Sequence, residues 1–102
     1  METMGTTPQP LRRVTALYEG RVQGVGFRIT TLMTSRRFDV SGYVCNHHDG
    51  TVRVVAEGRD DVLRAFLVAL KRSAIGRYID RERLNWAEST GEFDGFDIRH
   101  DG

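Results

Sequence analysis

The chain has 102 residues, which is enough for one ordinary globular domain and too few for two. Apolar residues make up 39% and charged residues 28%, a balance typical of folded soluble proteins and not of disordered chains. Fifteen Lys and Arg oppose 14 Asp and Glu, for a formal net charge of +1, so no overall electrostatic field would gather nucleic acid or an anionic membrane.

The first ten residues are expected to form a flexible tail ahead of a single domain that covers residues 11–100. Residues 1–10 are polar, contain both prolines and have no hydrophobic periodicity. The run from Val14 to Tyr18 is β-branched or apolar, its flanks are polar, and Gly20 closes it. This pattern predicts the first strand over residues 13–20.

A glycine-rich segment follows the first strand. Three glycines lie within the seven residues from Gly20 to Gly26, which favours a shaped loop because glycine tolerates positive φ. After the loop, Ile29, Leu32 and Met33 recur at three- and four-residue steps, as on the buried stripe of a helix. Threonines at positions 30, 31 and 34 weaken this helix prediction.

Two short β-rich runs, Gly42–Asn46 and Thr51–Glu57, predict a hairpin. They are joined through residues 47–50, whose Asp-Gly pair is a strong turn signal because both residues accept left-handed geometry. In the second run Val52, Val54 and Ala56 share one face, which predicts a strand with that face buried.

The clearest helix is predicted over residues 60–73. Acidic residues stand at its start and basic residues at its end, as the helix dipole favours. Its apolar stripe consists of Val62, Leu63, Phe66, Leu67 and Leu70. Two further strands are predicted, an irregular one over residues 78–87 and one over residues 95–100 with alternating apolar positions.

The order is therefore strand, helix, strand, strand, helix, strand, with a short closing strand. This is the split βαβ pattern of ferredoxin-like folds. We expect an α+β two-layer sandwich in which two helices cover one face of an antiparallel sheet. Four aromatic residues are most simply assigned to its core: Phe27, Phe66, Trp86 and Phe96.

The glycine-rich loop precedes a predicted helix N-terminus, where backbone N–H groups and the helix dipole favour an anion. Arg28 follows the loop, and its planar guanidinium suits two phosphate oxygens at once. Nucleotide-binding patterns do not fit, because Ile29 stands where G-x-G-x-x-G needs its third glycine and no Gly-Lys-Ser/Thr follows. From composition alone, an ordinary turn remains the alternative to an anion site.

Cysteine and histidine content point away from disulfide and metal chemistry. Cys45 is the only cysteine, and no apolar leader segment precedes the domain, so we expect a cytoplasmic protein. No stretch approaches the roughly 20 apolar residues that cross a bilayer. His47, His48 and Asp49 suggest a metal cluster, but adjacent residues of extended chain point to opposite faces, and the turn explains Asp49. We predict no metal site, and a structural Cys45 rather than a nucleophile.

Two motifs resemble the acylphosphatase family in both order and spacing. Residues 20–28, GRVQGVGFR, match the family signature G-x-V-Q-G-V-x-F-R, and residues 42–52, GYVCNHHDGTV, match its second motif, G-W/Y-V-x-N-x-x-D-G-x-V. The resemblance extends over residues 11–99. It implies the ferredoxin-like fold and the hydrolysis of acyl phosphates to a carboxylate and inorganic phosphate, without a cofactor.

The resemblance also implies the site residues. The family's catalytic arginine falls on Arg28 and its catalytic asparagine on Asn46. The phosphate-binding loop falls on Arg21, Val22, Gln23, Gly24, Val25, Gly26 and Phe27, together with Arg28. Such a sparse site is chemically sufficient, because a carboxylate leaves without a strong general acid. Arg28 and the loop amides would stabilise charge, and the Asn46 amide would orient a water molecule.

The chain departs from the family pattern in two places: the threonines of the first helix, and Ile75–Tyr78, which replaces a Gly-Pro-Pro segment. A non-catalytic module of the same fold, binding a phosphorylated ligand or a protein partner, is the alternative function. An RNA-binding domain would need exposed aromatics and a basic face, and Tyr18 and Tyr43 are the only candidates. We expect a monomer that acts on a small-molecule acyl phosphate, with no nucleic-acid or membrane partner.

Overall fold

The structure, a computed structural model, describes residues 10–100. Residues 1–9 of the expected tail lie outside this range. The secondary-structure elements are, in order, β1 (Leu11–Gly20), α1 (Phe27–Ser35), β2 (Ser41–Asn46), β3 (Val52–Arg59), α2 (Asp60–Arg72), a 3-10 turn (Gly76–Tyr78), β4 (Ile79–Glu88) and β5 (Phe96–Arg99). Every element predicted from the sequence is present, with ends that differ by a few residues.

The strands form one five-stranded sheet in the order β4-β1-β3-β2-β5. β1 pairs antiparallel with β3 and β4, and β2 pairs antiparallel with β3. The short β5 pairs parallel with β2, so the sheet is mixed at one edge. The predicted ferredoxin-like α+β sandwich is confirmed, with two helices packed on the sheet.

The core lies between the sheet and the two helices. Alternate residues of β1, namely Val14, Ala16 and Tyr18, are fully buried. The predicted buried face of β3 is also confirmed. On α2 the buried residues are Leu63, Phe66, Leu67 and Leu70, with Val62 half-buried beside them. Of the aromatics assigned to the core, Trp86 and Phe96 are only partly buried and pack against its rim.

The predicted buried stripe of α1 is wrong at Ile29 and Met33, while its third member, Leu32, is half-buried. Ile29 and Met33 are 51% and 59% exposed, whereas Thr31 and Thr34 are buried with Phe27. Phe27 sets this rotation, because its ring packs on Tyr18 with centroids 5.3 Å apart, and the positions four and seven residues later then face the sheet. The buried threonine hydroxyls donate to the carbonyl oxygens four residues earlier, both at 2.8 Å, so their burial leaves no unpaired polar group.

Strand direction brings three chain segments together at one end of the strands. β1 and β2 are both antiparallel to β3, so they run in the same direction, and β5 is parallel to β2. The carboxyl ends of β1, β2 and β5 therefore lie at the same end of the sheet. The loop after β1, Asn46 at the end of β2 and His100 after β5 meet there.

Within residues 10–100, no helix has the length and apolar character needed to span a bilayer.

Candidate active site

The loop between β1 and α1 is anchored at both ends and exposed between them. Val22 is fully buried and Phe27 is 2% exposed, while Gly24 and Gly26 lie on the surface. These two glycines have φ of 78° and 83°, a left-handed conformation that disfavours a side chain. The sequence therefore folds here into a loop whose backbone, rather than its side chains, faces outward.

Tyr18 packs against the first residue of α1 from the sheet side. Its ring contacts Phe27, and its hydroxyl donates to Glu82 Oε2 at 2.9 Å. Burial raises the pKa of Tyr18, and the Glu82 carboxylate raises it further, so the hydroxyl stays protonated as a donor. The first turn of α1 thus rests on a fixed aromatic pair.

The backbone amides of this segment are available to a ligand. Within residues 10–100, no backbone N–H from residue 22 to residue 29 donates to a protein acceptor, and Thr30 N to Gly26 O, at 3.0 Å, is the first bond of the helix. The N-terminal position of α1 has no side-chain cap. Free donors at a helix N-terminus favour an anion, because the helix dipole adds to them.

Arg28 is the second residue of α1 and is half-buried. Its Nη1 lies 3.4 Å from Nδ1 of His100. Within the described residues, no carboxylate comes within ion-pairing distance of this guanidinium. The positive charge of Arg28 is therefore not neutralised by the protein and remains available to a bound anion.

Asn46 ends β2 opposite Val52 of β3. It lies on the same face of its strand as Val44, which is buried in the core, so its side chain is directed towards the helix layer and the start of α1. Within residues 10–100 its amide makes no side-chain hydrogen bond. The amide is free to hold a water molecule.

Gln23 ties the loop to the β2–β3 turn. Its Nε2 donates to the carbonyl oxygen of His47 at 2.6 Å and to that of Thr51 at 2.9 Å. Both acceptors belong to the turn that follows Asn46, so this single amide holds the loop and Asn46 in one arrangement. The resemblance to the family motif placed Gln23 in the loop, but this bridge could not be predicted from the sequence, because its partners are 24 and 28 residues away.

The glycine-rich loop, Arg28 and Asn46 line one small cleft of about 190 Å³. Its walls are Val22, Gly24, Gly26, Phe27, Arg28, Ile29, Asn46, Ile98 and His100. The other residues that the resemblance assigned to the loop, Arg21, Gln23 and Val25, do not line it. Ile29, Ile98 and His100 were not assigned to the site from the sequence, although the alternation along β5 places Ile98 and His100 on one face.

Larger surface hollows lie elsewhere. One of about 870 Å³ lies beside Leu11 and Gly91, and one of about 690 Å³ lies over α2 beside Val68. Neither contains the glycine-rich loop or Asn46. Of these three hollows in the described part of the chain, the small cleft combines free backbone donors with a guanidinium that has no carboxylate partner and with the Asn46 amide, so we take it as the candidate active site.

The His47–His48–Asp49 turn has a structural explanation. Asp49 Oδ1 accepts hydrogen bonds from the Thr51 hydroxyl at 2.7 Å and the Thr51 amide at 3.0 Å. The pKa of Asp49 is lowered chiefly by these two bonds. Among the described residues, no group of three or more His, Cys, Asp or Glu is arranged to hold a metal ion. Cys45 is buried in β2.

Comparison with known proteins gives a consistent family assignment. A family model described as Acylphosphatase matches residues 14–98. The acylphosphatase of Salinibacter ruber is 40% identical over 88 residues, which are 86% of this chain and 93% of that protein. The acylphosphatase of Thermus thermophilus is 39% identical over 79 residues, which are 78% of this chain and 90% of that protein.

Solved structures agree with the sequence relatives. The crystal structure of acylphosphatase from Bacillus subtilis is similar with a TM-score of 0.80 at 30% identity, over 86% of this chain and 98% of that one. Full-length HypF in its phosphate- and nucleotide-bound form is similar with a TM-score of 0.82 at 26% identity, over 96% of this chain and 13% of that one.

These matches confirm the family that the motifs at residues 20–28 and 42–52 indicated, and they favour the enzyme over the non-catalytic module. The family model spans both motifs and most of the fold around them. The chain belongs to the acylphosphatase family and is an enzyme that hydrolyses acyl phosphates.

Proposed function

We propose that the phosphoryl group of the acyl phosphate binds to the backbone amides of residues 21–27 and to the guanidinium of Arg28, and that Asn46 positions the attacking water. The observation that carries the proposal is the common cleft. The loop residues Val22, Gly24, Gly26 and Phe27, whose amides are free, line one volume of about 190 Å³ together with an arginine that has no carboxylate partner and an asparagine amide that has no partner in the described chain.

Arg28 and the loop supply positive charge where the reaction develops negative charge. The planar guanidinium donates two parallel hydrogen bonds to phosphoryl oxygens, and the amides at the start of α1 add fixed donors. The amides are already oriented before the substrate binds, because Val22 and Phe27 anchor the loop. Phosphoryl transfer depends chiefly on such positioning and charge stabilisation.

Asn46 completes the site by orienting water. The water oxygen forms a bond to phosphorus while the bond from phosphorus to the acyl oxygen breaks, and the electron pair leaves with the carboxylate. The water proton passes to the phosphate product or to solvent. The Asn46 amide both accepts and donates hydrogen bonds, so it holds the water in line without removing its proton.

The role of Arg28 is tested with Arg28→Ala and Arg28→Lys. Arg28→Ala should weaken inorganic phosphate binding and lower kcat/KM by about 10²- to 10³-fold, as deletion of one preorganised donor does in other enzymes. Arg28→Lys should recover little, because a lysine lacks the bidentate fork. Arg36→Ala is the matched control, since this arginine is exposed just after α1 and does not line the cleft.

Asn46→Ala should separate binding from rate. Phosphate should bind nearly as in the wild type, while most turnover is lost because only the water is misplaced. Asn85→Ala, at an exposed asparagine of β4, is the control. Calorimetric phosphate titration beside steady-state kinetics with an aromatic acyl phosphate measures both quantities. An Asn46→Ala protein with normal turnover would refute the assigned mechanism.

A further inference from the structure

His100 lies beside Arg28 at the mouth of the cleft, and the mechanism above does not use it. β5 runs parallel to β2, and its last residue, Arg99, pairs with Cys45. His100 follows Arg99 and therefore stands next to Asn46. Its distance of 3.4 Å, from Nδ1 to Nη1 of Arg28, is the side-chain contact that the structure gives Arg28.

The chemistry of this contact defines which side chain donates. A guanidinium only donates hydrogen bonds, so Nδ1 of His100 is the acceptor in the tautomer that carries its proton on Nε2. The contact uses one of the five N–H donors of Arg28, which leaves donors for the phosphoryl group. Arginine is a long, flexible side chain, and an acceptor at one side of its guanidinium restricts where the rest can point.

We propose that His100 is a positioning residue that holds the Arg28 guanidinium in the cleft. This inference rests on the proposed role of Arg28 in binding the phosphoryl group. Without an acceptor at residue 100 the guanidinium loses this contact at 3.4 Å, and its orientation in the cleft is no longer restrained from that side.

Few ionisable side chains surround this pair among residues 10–100. Arg28 is the one titratable side chain of α1, and Arg28 and His100 are the titratable residues among those that line the cleft. The other titratable groups of β5 and β2 alternate to the opposite face of the sheet: Asp97, Arg99, Tyr43 and Cys45. On that face the guanidinium of Arg99 lies 4.0 Å from the centre of the Tyr43 ring. Other ionisable side chains at this end of the sheet do not line the cleft, among them Arg21, His47, His48 and Asp49.

Two variants separate positioning from a purely structural role. His100→Ala removes the acceptor, and at pH 7.5 it should raise the phosphate Kd and lower kcat/KM by about three- to tenfold, the range for one hydrogen bond. His100→Asn carries an oxygen close to the place of Nδ1 and should recover most of both. His100 is exposed, so both variants should fold, as their melting temperatures would verify. His48→Ala, at an exposed histidine outside the cleft, is the matched control and should change neither quantity.

Rescue by His100→Asn is the readout that a merely structural role would not produce. Wild-type behaviour of His100→Ala, or absence of rescue by His100→Asn, would overturn the proposal. Failure of the proposed function is distinguishable, because then phosphate binding by the wild type would not depend on Arg28.

Discussion

Glu57 is a buried carboxylate whose replacement by glutamine should strongly destabilise the fold. It lies on β3, is 4% exposed and accepts five hydrogen bonds. The donors include Arg13 Nε and the Ser89 hydroxyl, both at 2.7 Å, and the amides of Thr90 and Gly91, both at 3.0 Å. Glu57 therefore ties the segment after β4 to the middle of the sheet.

The magnitude follows from the pKa of Glu57. Burial alone raises this pKa, but the hydrogen bonds from Thr90, Ser89, Arg13 and Gly91 outweigh burial and lower it from 4.5 to about 2. That difference corresponds to about 3 kcal/mol in the free energy of unfolding. Because the folded-state pKa is lowered, the stabilisation is present above pH 4.5 and is lost as the pH falls towards 2.

Glu57→Gln keeps the shape but removes the charge, and it places an NH₂ group against donors on one side. We expect a loss of about 3 kcal/mol at pH 7, measured by urea unfolding. The difference between wild type and variant should shrink as the pH falls from 4.5 towards 2. Catalysis by the folded variant should be unchanged, because Glu57 lies towards the opposite end of β3 from Val52, the partner of Asn46.

Glu92→Gln is the control for this experiment. Glu92 also bonds Arg13, at 2.6 Å, but its side chain is 54% exposed, so its replacement should change stability little. A cost at Glu57 no larger than that at Glu92, or a difference between wild type and Glu57→Gln that is the same at pH 7 and pH 3, would refute the reasoning.

Three other predictions concern the site and the first helix. Turnover should survive a metal chelator, because Arg28 and the loop amides supply the positive charge; loss in chelator and recovery with one particular metal would return attention to His47 and His48. Inorganic phosphate or sulfate should stabilise the folded state by about 2.7 kcal/mol at a hundredfold excess over Kd, and the melting temperature should rise accordingly. No thermal shift at saturating phosphate would count against the site. Thr31→Gln should cost about 1 to 3 kcal/mol by overpacking a buried position, whereas Met33→Gln should cost less than about 0.5 kcal/mol; equal costs in urea unfolding would contradict the observed rotation of α1.

Periodicity and short motifs in the sequence were sufficient to predict much of the fold and the family. The alternation along β3 and the stripe of α2 predicted their buried faces correctly, because a single period dominates each segment. The motifs at residues 20–28 and 42–52 indicated the acylphosphatase family, and with it Arg28 and Asn46 as site residues. Residues a few positions apart are held in a fixed relation by the backbone, so strand alternation, helix stripes and loop motifs can be predicted from the sequence.

The tertiary structure decided which face of α1 is buried and which side chains meet at the cleft. Apolar and threonine residues occupy both faces of α1, so its rotation depends on the packing of Phe27 against Tyr18. The contact of Arg28 with His100 joins residues 72 positions apart, and it exists because β5 pairs parallel with β2. Sequence periodicity determines what each element presents, but only the pairing of strands distant in the chain determines which elements face one another.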